Sequence, residues 1–169
     1  MELNKLNDLL LVDLKEVLYK CCGSKNWVNM MMRYRPYHSW EYLENLAELV
    51  WFDDCSEDDW KEAFAHHPKI GDLKSLEEKF TSTIDMASKE QEKVESASME
   101  VLEALAAGNQ AYESKFGYIF IVFATGKTAE EMLEILQERL ENSPKMEMMI
   151  AASEQYKITR LRLEKFLTS

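Results

Sequence analysis

Gly117-Tyr118-Ile119-Phe120-Ile121-Val122-Phe123-Ala124-Thr125-Gly126 is the stretch on which the fold class turns. An unbroken apolar run between two glycines reads, in isolation, as a buried β-strand. A strand needs a partner, because its backbone N–H and C=O groups must be paired once they leave water. No obvious partner strand occurs in the 169 residues. The rest of the chain has helical spacing, and five glycines and three prolines are little turn material for an all-β fold. The chain is therefore expected to be all-α: one compact bundle-like domain, residues 1–169, of about seven or eight helices. Within it, 118–124 is expected to be a buried extended crossing or a short irregular helical turn.

Working outward, Thr128-Ala129-Glu130-Glu131 is a capping box that opens a helix carrying Met132, Leu133, Leu136 and Leu140. Asn142-Ser143-Pro144 is a turn with proline at a helix start. The helix that follows is expected to reach about Phe166, with Met148, Met149, Ala152, Tyr156, Leu161 and Leu163 as its apolar positions. Upstream, Ser88 to Phe116 reads as mostly helical, in two pieces meeting near Ser96–Ser98 and ended by Gly117. Leu3, Leu6, Leu10, Leu14, Val17 and Leu18 predict one amphipathic helix from Leu3 to Lys20, interrupted by Gly23 and Ser24. A short segment from Trp27 to Tyr34 precedes the Pro36 break. Ser39 caps a helix to about Trp51 with Tyr42, Leu43, Leu46, Leu49 and Val50 inward. Ser56-Glu57-Asp58-Asp59 is a weaker relative of the capping box and opens a helix through Phe64.

Charge and cysteine usage exclude several classes. Twenty Lys and Arg against 31 Asp and Glu give a net charge of −11, the wrong sign for a nucleic-acid binder. No apolar run approaches the ~18 residues of a membrane span. Cys21, Cys22 and Cys55 form no C-x-x-C pair and are expected to be free thiols of a reducing cytosol. The polar, acidic N-terminus lacks signal-peptide character and Leu167-Thr168-Ser169 is not a peroxisomal address, so the expected location is cytoplasmic. Thr125-Gly126-Lys127-Thr128 ends like a phosphate-binding loop, but Ile121 stands where that loop needs its first glycine.

The residues able to carry chemistry are few. In His66-His67-Pro68-Lys69-Ile70-Gly71, Pro68 pushes His67 out of the helical region, to a helix-to-loop junction. Its imidazole titrates near neutrality and suits proton transfer, although a histidine beside a proline is more often structural. His66 and His67 are adjacent and cannot face the same way, and His38 sits in a separate turn. With no His pair at helical i, i+4 spacing, no zinc or other metal site is expected. Glu90, in Ser88-Lys89-Glu90-Gln91, stands at a helix start, where it serves the helix dipole or pairs with a nearby histidine. Arg160 and Arg162 are two apart and face different sides of a helix; the inward one meets either a glutamate or a bound anion.

Several pieces, in order and at family spacing, carry a resemblance. They are Cys21-Cys22-Gly23-Ser24-Lys25-Asn26-Trp27-Val28, the Pro36 turn, His67-Pro68-Lys69-Ile70-Gly71, Glu90-Gln91 and Asn109-Gln110-Ala111-Tyr112-Glu113-Ser114-Lys115-Phe116-Gly117-Tyr118. After them come Phe120-Ile121-Val122-Phe123-Ala124-Thr125-Gly126-Lys127-Thr128, Arg139-Leu140-Glu141-Asn142 and Glu154-Gln155-Tyr156-Lys157-Ile158-Thr159-Arg160-Leu161-Arg162-Leu163. Together they resemble the family of 2-oxo-4-hydroxy-4-carboxy-5-ureidoimidazoline (OHCU) decarboxylases of urate degradation.

The resemblance implies an all-α, cofactor-free, dimeric enzyme that acts on a small molecule and yields (S)-allantoin and CO2. By position it makes His67 the acid/base, Glu90 its carboxylate partner and Arg162 the residue that grips the substrate. Pro68, Ala87, Ser88, Gln91, Phe120, Ile121, Val122, Phe123 and Ala124 become the pocket wall, the last five partly through main-chain groups. The chain departs from the family in having Ala87 where many members have serine and Phe123 where cysteine is frequent. Two other readings stay open: a decarboxylase of a different ureido or heterocyclic acid, and a non-catalytic helical interaction domain, which ten methionines would suit. An acidic exterior mildly repels an anionic substrate, so the enzyme reading needs Arg162 as a local source of positive potential.

Overall fold

A computed structural model describes residues 2–67 and 98–169, and α-helices supply the regular structure, with no strand among the described residues. The helices are α1 (Asn4–Asn7), α2 (Leu11–Cys21), α3 (Lys25–Arg33), α4 (Trp40–Leu49), α5 (Glu57–Ala65), α6 (Met99–Phe116), α7 (Ala129–Leu140) and α8 (Pro144–Thr168). A π-helical turn, Val50–Asp54, follows α4. The chain divides into two compact units. One holds 2–67, Ile121–Phe123 and Met148–Ser169; the other holds, of the described residues, 98–120 and 124–147.

In the first unit the predicted N-terminal helix is broken in two, although its leucine spacing runs on unbroken. The reason is side-chain competition for backbone groups. Asn7 donates from Nδ2 to the Tyr37 carbonyl at 2.8 Å and accepts the Tyr37 N–H at 2.8 Å. Arg35 holds the Leu9 carbonyl at 2.8 Å. Leu6, Leu14 and Leu18 stay buried, while Leu10 is 71% exposed. Ser24, expected only to interrupt, caps α3 by accepting the Trp27 N–H at 3.3 Å, so that helix starts two residues earlier than predicted.

Ser39 caps α4 as expected. Tyr42 and Leu49, expected inward, are exposed, and Ala47 is buried in their stead. The wide turn after α4 swings Trp51 into the core, where its indole donates to the Ala152 carbonyl at 2.9 Å. Trp27 and Trp60 likewise donate to the Ala47 and Trp51 carbonyls, at 3.0 and 2.8 Å. Buried indoles with satisfied N–H groups are the main anchors of this core. Ser56 and Asp59 complete a full capping box on α5.

In the second unit α6 packs on α7. Gly108 makes the approach possible: a Cβ there would stand 2.6 Å from Leu136 Cδ2. Ser98 caps α6, Gly117 closes it in the left-handed region at φ 82°, and the Thr128–Glu131 box opens α7 as predicted. Residues 118–124 form neither helix nor strand, consistent with the predicted extended crossing. The burial expected of that run is only partial: Tyr118 and Ile121 are buried and the others half-buried. Met149, one of the apolar positions predicted for α8, is 49% exposed. No helix among the described residues is long and apolar enough to cross a membrane.

Candidate active site

The first unit assembles a polar cluster around the end of α5. His66 is the C-cap and the His67 N–H closes the last turn on the Phe64 carbonyl at 3.2 Å, at the junction the His-Pro pair predicts. On α8, Gln155, Thr159 and Arg162 lie at i, i+4 and i+7 and share a face. Gln155 and Thr159 are buried and Arg162 is half-buried. Gln155 Oε1 stands 2.5 Å from His67 Nε2, and Gln155 Nε2 donates to Thr159 Oγ1 at 3.2 Å. Arg162 Nη1 donates to the carbonyls of Lys20 and Cys21, at 3.1 and 3.4 Å. Those are terminal acceptors of α2, where the helix dipole is negative.

Of the two candidate arginines, Arg160 pairs with Glu44 near the surface, whereas Arg162 is the one directed at this cluster. Burial lowers the His67 pKa first; the Gln155 hydrogen bond opposes this, and the charges of Arg162 and His66 add to it. His67 is thus held toward its neutral, proton-accepting form. The same shift bears on stability. The folded chain takes up this proton less readily than the unfolded one, whose ordinary value is 6.5. His67 therefore contributes stability above that pH that is lost as pH falls through it. The urea midpoint of the protein is expected to drop between about pH 7.5 and about pH 5.5 by more than that of His67→Asn.

His66, the rival histidine, is occupied elsewhere. Its ring packs edge-on against Tyr19, centroids 4.7 Å apart, and it lies over Gly23. A Cβ at Gly23 would stand 2.3 Å from the His66 Cβ, so the end of α5 settles here only over a glycine. Gly23→Ala is expected to displace His66 and with it His67. The measurable result is a loss of turnover of about 10²-fold, out of proportion to any drop in melting temperature.

Ile121–Phe123 belong to this unit, and Glu154 Oε2 accepts the Phe123 N–H at 2.6 Å. The main chain is thereby pinned to α8 one residue from Gln155. Phe120 and Ala124 belong to the other unit, where the Phe120 ring lies 5.2 Å from the Tyr112 ring and 4.7 Å from the Arg139 guanidinium carbon. Pro68, Ala87, Ser88, Glu90 and Gln91 lie outside the described residues. His38 stands apart, its ring 5.6 Å from that of Tyr42. Cys21, Cys22 and Cys55 are free and buried, and burial pushes their thiols up to about 11, 12 and 12. Among the described residues no group of three or more His, Cys, Asp or Glu side chains could hold a metal ion.

Two polar groups escaped the sequence reading. One is Gln155, whose signal is a Gln-x3-Thr-x2-Arg stripe on an otherwise apolar helix face. The other is in the second unit. Glu147 is fully buried and receives Arg139 Nε and Nη2 at 2.7 and 2.5 Å, Asn142 Nδ2 at 2.9 Å and the Tyr112 hydroxyl.

Comparison with known proteins places these residues in context. The family model described as OHCU decarboxylase matches residues 7–164. The uric acid degradation bifunctional protein TTL of Arabidopsis thaliana is 39% identical over 148 residues, 88% of this chain and 45% of that protein. The uric acid degradation bifunctional protein of Bacillus sp. (strain TB-90) is 27% identical over 172 residues, 97% of this chain and 32% of that protein. The chain thus spans less than half the length of these two relatives. A crystal structure of OHCU decarboxylase in the presence of (S)-allantoin superposes with a TM-score of 0.74 at 36% identity, covering 92% of this chain and 99% of that one.

Proposed function

The chain belongs to the OHCU decarboxylase family, and on that premise we propose that it converts 2-oxo-4-hydroxy-4-carboxy-5-ureidoimidazoline to (S)-allantoin and CO2. The observation that carries the reading is the family match over 7–164 together with His67 and Arg162 acting on one another in one unit. Residues 1–169 act as one catalytic domain in this reading. Glu90 is the partner carboxylate, and Pro68, Ala87, Ser88, Gln91 and Phe120 to Ala124 form the pocket wall.

The chemistry follows from the substrate. Its carboxylate and hydroxyl share a ring carbon beside a C=N bond. When the C–CO2 bond breaks, its electron pair forms a C=C bond to the neighbouring ring carbon, and the imine nitrogen takes a proton. The resulting enol then gives up its hydroxyl proton, and the neighbouring carbon accepts one. The C=N is itself the electron sink, so the reading requires no added cofactor. What the protein supplies is orientation and proton handling on one face. Arg162 grips an anionic oxygen, His67 exchanges protons, and the apolar side chains of 120–123 limit water.

The reading extends to a cytoplasmic homodimer with no nucleic-acid or membrane partner. Three buried free thiols fit a reducing compartment, and the exposed Leu10, Leu11 and Val12 fit self-association. Ala87 and Phe123 favour, as a second reading, a relative that takes a different ureido acid. The test is a chiral assay on freshly generated OHCU. Enantiomerically enriched (S)-allantoin, formed faster than spontaneous decay, is expected; racemic product at the spontaneous rate overturns the reading.

A further inference from the structure

Resting on the decarboxylase reading, we propose that Gln155 is a positioning residue that holds His67 in the Nε2–H tautomer, leaving Nδ1 as the proton-accepting nitrogen. A primary amide offers either an oxygen that only accepts or an NH2 that only donates, and whichever faces an imidazole selects its tautomer. The contacts decide which one it is: the amide NH2 donates to Thr159 Oγ1 at 3.2 Å. Gln155 Oε1 then faces His67 Nε2 at 2.5 Å, and Nε2 must carry the hydrogen.

Gln155 is fully buried and Thr159 is 2% exposed. With the amide turned over, its NH2 would face Nε2 and require the Nδ1–H tautomer, so the tautomer reports the amide's orientation directly. Thr159, Gln155 and His67 form a run of hydrogen bonds that ends on the base. It also accounts for glutamine in place of glutamate. A neutral oxygen accepts from both the imidazole and the imidazolium, so it orients the ring without trapping the charged form. The residue that aims the base and Arg162 share one rigid helix, seven positions apart, which fixes their spacing.

The test uses the 15N-labelled full-length protein without substrate. Long-range 1H–15N correlation separates Nδ1 from Nε2, and the His67 signals are those lost in His67→Asn. Protonated Nε2 in the neutral ring is expected; a predominantly Nδ1–H ring, or an equal mixture, overturns the proposal. Two variants extend it. Gln155→Glu keeps an acceptor and is expected to keep the tautomer while moving the acid limb of kcat/KM to higher pH. Among the described residues the charged groups acting on His67 are Arg162 and His66, which neither variant alters.

Gln155→Met keeps the bulk without the acceptor. It is expected to mix the tautomers and lower kcat about 10²-fold with KM little changed. Wild-type tautomer and kcat in Gln155→Met would overturn the positioning role. The spectrum needs no substrate, so its failure is distinct from failure of the decarboxylase reading, which shows as racemic product from the wild-type protein.

Discussion

Asparagine in place of His67 is expected to lower kcat on OHCU by about 10²–10⁴-fold, the usual contribution of a positioned acid or base. Asn is neutral and polar but too short to reach Gln155 Oε1, the acceptor 2.5 Å from the native Nε2, so the change removes the base together with its anchor. Asn cannot exchange a proton near neutrality. KM should move little, because Arg162 remains anchored on the Lys20 and Cys21 carbonyls. Product chirality is the sharper measurement. As catalysis falls toward spontaneous decay, the allantoin formed should lose its enantiomeric excess. If His67→Asn and Glu90→Gln both retain full stereospecific production, the acid/base assignment is wrong.

Removing Glu147 is expected to destabilise the protein by about 3–5 kcal/mol, without regard to catalysis. Its carboxylate is 0% exposed and the Arg139 side chain 7%, so the pair is out of water. Glu147→Ala takes away the carboxylate that the buried Arg139 is paired with and removes the acceptor of Asn142 Nδ2 and of the Tyr112 hydroxyl. Burial first and the Glu147 hydrogen bond second push the Tyr112 pKa far up, so the phenol stays a donor and offers Arg139 no charge in compensation. Replacing the pair together, with Arg139→Leu and Glu147→Leu, should recover much of the loss. Urea denaturation of the two variants checks this. Equal stability of Glu147→Ala and the wild type would show that the network contributes little.

Much of the fold was legible because caps are local. Ser39, Ser56 and Thr128 each sit three residues before the N–H they accept, so a short window contains the whole signal. The break in the first helix was not legible. It is imposed by Asn7, Arg35 and Tyr37, about thirty residues apart in the chain, against a leucine pattern that continues through it. The same distinction governs the site. His67 could be placed at a helix end from the proline behind it. Gln155 could not, because its partner is 88 residues away and a lone glutamine on a helix ordinarily faces water. Glu147 reads as a dipole-favouring acid of a first helical turn, and only the arrival of Arg139, Asn142 and Tyr112 makes it a buried anion.

The first unit, made of 2–67, Ile121–Phe123 and Met148–Ser169, is discontinuous in the chain, and this sets an order of events during synthesis. The Trp51 indole waits for a carbonyl 101 residues downstream, an interval of roughly 5–20 s at ordinary ribosomal speed. Through that interval the nascent helices carry Leu14, Leu18 and Trp27 without the C-terminal helix that completes their unit. The newborn chain should therefore depend on chaperone holding until α8 has been made, and ribosome stalling between residues 67 and 148 should leave it aggregation-prone.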